Sequence, residues 1–184
     1  MIITLSGEAG SGKSTCAKGI AQTFQIKHYS SGDLMRQMAS ERNLSLAELS
    51  ALAEKDPSID RELDERQIRL GKTEDQFIID GRLSAHFIPH ALKIFITATL
   101  EERGKRIFSA RRAEESFDSL EKTLEAIRQR KESEIKRYMA WYDFNPYDPK
   151  EYDIVYDTTG KAIPEMIHEL KNLVEKRGFS GKSK

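Results

Sequence analysis

The sequence predicts an α/β protein: a five-stranded parallel sheet with helices on both faces. Three observations carry this. Five short apolar runs of strand length recur along the chain. Helical patterns, several with a clear apolar face, lie between them. The first run closes on glycine and opens at once into a helix. Parallel strands need crossover connections, and an intervening helix supplies one.

The elements follow in order. Ile2 to Ser6 is the first strand. A helix starts at Lys13, with Ala17, Ile20, Ala21 and Phe24 on one face. Ile26 to Ser30, Phe77 to Asp80, Leu92 to Ala98 and Tyr152 to Asp157 are the other four strands. Ser45-Leu46-Ala47-Glu48 and Thr99-Leu100-Glu101-Glu102 have the spacing of capping boxes, which mark helix starts. Leu120, Leu124 and Ile127 share a face of a long helix. Ile163, Met166, Ile167, Leu170, Leu173 and Val174 form the apolar stripe of the last one.

The stretch from Asp33 to Lys72 is long, polar and helical, and breaks the alternation. It fits an insertion beside the sheet. Residues 1–32, 73–102 and 150–177 are then the core, and 178–184 a frayed basic tail. The 184 residues suit one domain with one insertion.

Thirty basic residues balance thirty acidic ones, so no global field favours nucleic acid or an anionic membrane. Phosphate binding must come from local arrangement. The single cysteine, Cys16, allows no internal disulfide and sits on a helix face that suits a core position. No apolar run reaches the length of a membrane span, and no basic leader precedes the first strand. A cytoplasmic monomer is the expectation.

The chemistry begins at Gly7-Glu8-Ala9-Gly10-Ser11-Gly12-Lys13-Ser14, which satisfies GxxxxGK[ST]. The glycines let backbone N–H groups curl round phosphate oxygens, and the helix N-terminus adds positive charge. Lys13 reaches the outer phosphates of a nucleoside triphosphate, and the Ser14 hydroxyl ligates Mg²⁺. Thr15 completes the loop. The context required of this motif, a preceding strand and a following helix, is present. The chain is therefore a P-loop nucleotide-binding protein, with Mg²⁺ carried in by ATP.

Such a loop does not specify a reaction. Ser30-Ser31-Gly32-Asp33-Leu34-Met35-Arg36 follows the second strand, at the sheet edge where open α/β folds bind ligands. A small hydroxyl, a glycine and an arginine one turn on can grip a second phosphate. Asp80-Gly81-Arg82 ends the third strand, where an acid can serve Mg²⁺ and Arg82 the same cleft. Arg103, Arg106, Arg111, Arg112, Arg128, Arg130 and Arg137 follow the fourth strand. Guanidinium forks stabilise charge on a moving phosphoryl group. No Asn-Lys-x-Asp stretch reads guanine, no long arm suggests a motor, and no His/Cys/Asp cluster has metal-ligand spacing.

The chain resembles the nucleoside monophosphate kinases, and more closely the archaeal-type cytidylate kinases. The matching stretches are Met1 to Gly7, Ser31-Gly32-Asp33, Asp56-Pro57-Ser58-Ile59-Asp60, Asp80-Gly81-Arg82-Leu83, and Glu132 to Tyr138. Leu83 stands where bacterial cytidylate kinases carry an acid, and their large insertion is absent. The resemblance implies transfer of a phosphoryl group from Mg·ATP to CMP or dCMP. It implies that 33–72 is the monophosphate-binding insertion, and 103–137 the lid and lid-side helix. Gly7, Glu8, Ala9, Gly10, Ser11, Gly12, Lys13, Ser14 and Thr15 then hold ATP, with Arg103 and Arg106 at adenine or phosphate. Ser14, Asp33 and Asp80 serve the metal. Ser31, Arg36, Asp60 and Arg82 hold the acceptor. Lys13, Arg82, Arg130 and Arg137 surround the transferred group. AMP or UMP as acceptor, and a regulatory nucleotide-binding role, remain open alternatives at this stage.

Overall fold

The computed structural model describes residues 1–53, 55–110 and 118–179. Five strands, β1 (Ile2–Gly7), β2 (Lys27–Ser30), β3 (Phe77–Asp80), β4 (Leu92–Thr97) and β5 (Ile154–Asp157), form one sheet. Every pairing is parallel, in the order β2-β3-β1-β4-β5. Eight helices accompany them among the described residues: α1 (Lys13–Phe24), α2 (Ser31–Glu41), α3 (Leu46–Ala53), α4 (Pro57–Thr73), α5 (Ser84–Phe87), α6 (Leu100–Ala110), α7 (Leu120–Tyr142) and α8 (Ile163–Glu175).

The run Phe77-Ile78-Ile79 shows why the sheet is covered on both faces. All three side chains are fully buried. Ile78 joins Leu5, Ile94 and Ile96 in a core closed by α1 and α8. Phe77 and Ile79 point the other way, into a core with Leu34 and Ile88. Alternation along a strand sends neighbours to opposite faces, so a continuous apolar run needs cover on both. The predicted stripe of α8 packs through Met166, Leu170 and Val174. Cys16 lies in the same core. Ile94 is fully buried on β4, in register between Leu5 of β1 and Ile154 of β5. Ile94→Ala should cost about 2–5 kcal/mol, measured by urea unfolding, because a core cavity adds to the lost transfer energy.

Element ends depart from the sequence reading by one or two residues. The fifth strand starts at Ile154 because Pro149–Glu151 form a 3₁₀ turn just before it. Tyr152 lies between them and donates its hydroxyl to the Pro146 carbonyl (2.7 Å). The capping box at Ser45 is complete: Glu48 N–H donates to Ser45 Oγ, and Ser45 N–H to Glu48 Oε2. The box at Thr99 is half made. Glu102 N–H donates to Thr99 Oγ1 at 3.4 Å, but Thr99 N–H donates to Thr159, and the Glu102 carboxylate pairs with Arg106.

Helices α2, α3 and α4 stand between β2 and β3 and share a small core of Met38, Leu49 and Ile59. Helix α4 begins cleanly, with Asp56 capping Ser58 N–H and Pro57 in the first turn. The connections leaving β1 and β4 run to opposite sides of the sheet. A crevice therefore opens beyond the carboxyl ends of these adjacent strands.

Candidate active site

Strand β1 delivers the chain into that crevice at Gly7. Gly10 and Gly12 take φ of +77° and +86°, in the left-handed region. A Cβ on Gly10 would also lie 2.6 Å from the Arg103 carbonyl oxygen, so the loop backbone lies directly on α6. The loop and the first turn of α1 line a cavity of about 360 Å³ with Arg82, Arg106 and Arg130. Unpaired N–H groups at a helix start aim positive charge into such a space.

Three side chains converge on Asp80 at the end of β3. Lys13 Nζ lies 2.9 Å from Oδ2, Ser14 Oγ donates to the same oxygen at 2.7 Å, and His28 Nε2 lies 3.0 Å from Oδ1. Burial alone would raise the Asp80 carboxyl. The His28 bond and the Lys13 charge outweigh it and hold Asp80 well below the usual carboxylate range. Burial conversely lowers the Lys13 ammonium, partly offset by Asp80.

A second buried acid organises the arginines. Glu134, on α7, accepts from Arg82 Nε at 2.6 Å and from Arg130 Nε at 3.0 Å. The Tyr147 hydroxyl donates to it as well. Arg82 also donates from Nη1 to the Gly7 carbonyl (3.1 Å). Burial works against the Arg82 charge, but Glu134 outweighs it and keeps the guanidinium protonated. A third acid, Glu8 in the loop, accepts from Lys131 of α7 (2.8 Å) and Thr97 (2.9 Å), and lies 3.4 Å from Arg103. Burial would raise Glu8, yet Lys131 and Arg103 bring it below its ordinary value. The loop is thus tied to α6 and α7 through one side chain.

A smaller cavity of about 110 Å³ adjoins the first. Ser31, Asp60, Asp64, Arg82, Arg137 and Trp141 are among its lining residues. Arg82 lines both cavities. Asp60 and Asp64 stand one turn apart on α4, and burial raises both carboxyls, Asp64 to about 6.

A family model described as the cytidylate kinase-like family matches residues 2–160. The chain belongs to this family. It is 40% identical over 178 residues to the cytidylate kinase of Methanosarcina barkeri, covering 95% of this chain and 97% of that one. It is 43% identical over 158 residues to the cytidylate kinase of Methanothermobacter thermautotrophicus, covering 86% and 95%. Among solved structures, shikimate kinase from Aquifex aeolicus aligns with a TM-score of 0.62 at 18% identity, over 98% of this chain and all of that one. An uncharacterised protein from Eubacterium ventriosum aligns with a TM-score of 0.71 at 19% identity, over 96% and 99%. At such identities these two speak for the fold alone. Both are consistent with the parallel sheet described above.

Of the residues the family resemblance assigns, Gly7 to Thr15 fall together at the loop, and the Ser14 hydroxyl donates to the Asp80 carboxylate. Arg82 and Arg130 border the larger cavity, whereas Arg137 lines the smaller one with Ser31 and Asp60. Three residues sit differently. Arg103, expected at adenine or phosphate, is buried and donates to the Ala98 carbonyl (3.0 Å), so it props the loop from behind. Asp33, expected at the metal, bonds Ser30 and Arg36 and does not join Ser14 and Asp80. Arg36, expected at the acceptor phosphate, is exposed and paired with Asp33, since Asp33 is its neighbour one turn back on α2. Arg106 lines the larger cavity while its fork grips Thr158 Oγ1 and carbonyl, both at 2.9 Å. Arg111 and Arg112 lie outside the described residues. Among the described residues no cluster of three or more His, Cys, Asp or Glu side chains is fit to hold a metal, and no helix is long and apolar enough to cross a membrane.

The sequence reading gave no role to His28, Lys131, Glu134 or Tyr147. Glu134 had two usable signals, its place in the Glu132 to Tyr138 stretch that carries the resemblance and Arg130 four residues before it on a helix face. The others bond across the fold, at sequence separations from 13 to 123 residues, where no local pattern marks them.

Proposed function

We propose that the protein transfers the γ-phosphoryl group of ATP to CMP or dCMP, giving ADP and CDP or dCDP. Arg82 carries this reading, because it borders both cavities and so stands where a donor and an acceptor phosphate would meet. The larger cavity takes the ATP phosphates on the loop. The smaller takes the monophosphate, with Ser31, Asp60 and Arg137 around it. The names of the relatives support cytosine as the acceptor base.

The acceptor phosphate oxygen attacks the γ-phosphorus as the bond to the β–γ bridging oxygen breaks and ADP leaves. No covalent enzyme intermediate is involved. Lys13, Arg82 and Arg130 neutralise charge that spreads over the transferred group. Ser14 Oγ and the ionised Asp80 carboxylate are hard oxygen donors that fit Mg²⁺. When bound with ATP, the metal supplies charge neutralisation at the phosphates. Residues 33–72 act as the monophosphate-binding insertion and 103–137 as lid and lid-side helix, closing to exclude water. Arg36 joins the acceptor phosphate on closure by exchanging Asp33 for it.

A coupled ADP-release assay over CMP, dCMP, UMP and AMP tests this. CMP and dCMP should exceed the others in kcat/KM by about tenfold or more. Faster use of UMP or AMP would replace the acceptor. ATP hydrolysis indifferent to every monophosphate would point instead to a regulatory nucleotide-binding protein.

A further inference from the structure

The smaller cavity is electrically divided. Its cations are Arg82 and Arg137, and its anions are Asp60 and Asp64. A nucleoside monophosphate has the same division, with negative charge at one end and an uncharged base at the other. The phosphate pairs with the guanidinium groups, which leaves the acidic face of α4 for the base. Asp60, Asp64 and Gln67 recur at helical spacing on that face. Two carboxylates one turn apart repel each other, and their partial burial adds to that cost. Such an arrangement suits a ligand that brings hydrogen-bond donors.

Asp64 and Gln67 are both oriented by neighbours. Asp64 Oδ2 accepts from the Tyr142 hydroxyl at 2.7 Å. The Tyr142 ring is itself held against His86 and Phe87, with centroids 5.7 and 5.5 Å away. Gln67 is buried, and its Oε1 accepts from Ser84 Oγ at 2.8 Å. That bond leaves the Gln67 amide nitrogen as a donor. The α4 face thus offers an acceptor at Asp64 beside a donor at Gln67. Cytosine presents an N4 amino donor beside its N3 acceptor. Uracil presents O4 and N3–H at the same places, which reverses both.

We infer that Asp64 and Gln67 distinguish cytosine from uracil in the acceptor cavity, Asp64 accepting from the N4 amino group and Gln67 donating to N3. This rests on the reading of the smaller cavity as the acceptor site. Burial raises the Asp64 carboxyl to about 6, so it stays mainly ionised, and an acceptor, at pH 7.5.

The test compares kcat/KM for CMP and UMP in the wild-type protein and in Asp64→Asn, with KM for ATP measured alongside. The variant is isosteric, and its amide can donate to O4. Efficiency with CMP should fall roughly 10- to 100-fold, as expected for a lost bond to a charged group, while UMP is unchanged or improves. KM for ATP should not move. Equal loss on both acceptors, or an unaltered CMP:UMP ratio, would overturn the inference. If Asp64→Asn melts below assay temperature, Tyr142→Phe replaces it. Releasing Asp64 from its orienting hydroxyl should narrow the same ratio, and a retained ratio there rejects the idea equally. A wild-type protein that does not prefer CMP to UMP would instead undo the acceptor assignment itself.

Discussion

Lys13→Ala should lower kcat by roughly 10³-fold while leaving the protein folded. The ammonium is the cation fixed at the start of α1, 2.9 Å from Asp80 and 15% exposed. Its charge is held in a partly desolvated site, where electrostatic stabilisation of a developing anion is worth far more than in water. Breaking a buried ion pair usually destabilises, since one charge is left alone. Here Asp80 keeps both Ser14 and His28, so the carboxylate is not orphaned. Removing an ammonium that burial already disfavours also recovers part of the cost. The melting temperature should therefore move by only a few degrees, equivalent to about 1 kcal/mol. Steady-state ADP release and a thermal melt on the same preparation check both halves. Undiminished turnover would remove the loop from the chemistry.

The sheet was legible because burial on two faces leaves a plain mark. Phe77-Ile78-Ile79 has no polar interruption, and all three residues are core. The loop was legible because its function requires glycine at places where no other residue fits, as at Gly10 against Arg103. The arginines were not separable in sequence. Arg103 and Arg106 lie three residues apart on one helix, yet one is buried behind the loop and the other borders the cavity. What divides them is the acid each meets: Glu8, from the loop, lies beside Arg103, while Arg106 has Glu102 of its own helix. Arg36 and Arg82 likewise look equivalent in the motifs. Arg82 is fixed by Glu134, 52 residues away, while Arg36 pairs with Asp33 in its own helix. Pairings at that separation are set by the tertiary fold, and charge density alone does not reveal them. The face of α4 was half legible. Asp60 stood out within a motif, while Asp64 and Gln67 gained meaning once Tyr142 and Ser84 were seen to orient them.

Arg82→Ala should reduce kcat/KM for CMP by about 10²–10³-fold and change ATP affinity by about threefold or less. The guanidinium is anchored at two points, Nε to Glu134 (2.6 Å) and Nη1 to the Gly7 carbonyl (3.1 Å). Those bonds fix its plane between the two cavities before any substrate arrives, so its ordering is not charged against binding. Glu134 raises its affinity for the proton, so it stays cationic at every working pH. The defect should therefore be the same from pH 6 to 9. Glu134 keeps Arg130 and Tyr147 in the variant, which limits the loss of stability. ATP retains the whole loop, Lys13 and the first turn of α1, and this is why its affinity should hold. Arg82→Lys is the sharper comparison. It keeps the charge, but an ammonium cannot reproduce a planar fork reaching Glu134 and Gly7 together. Little recovery is expected from it. Initial rates with varied CMP, and ATP titration by calorimetry, give the two affinities separately. If ATP binding fell as far as CMP use, Arg82 would belong to the donor site alone. The shared wall between the cavities would then have to be sought at Arg130 and Arg137.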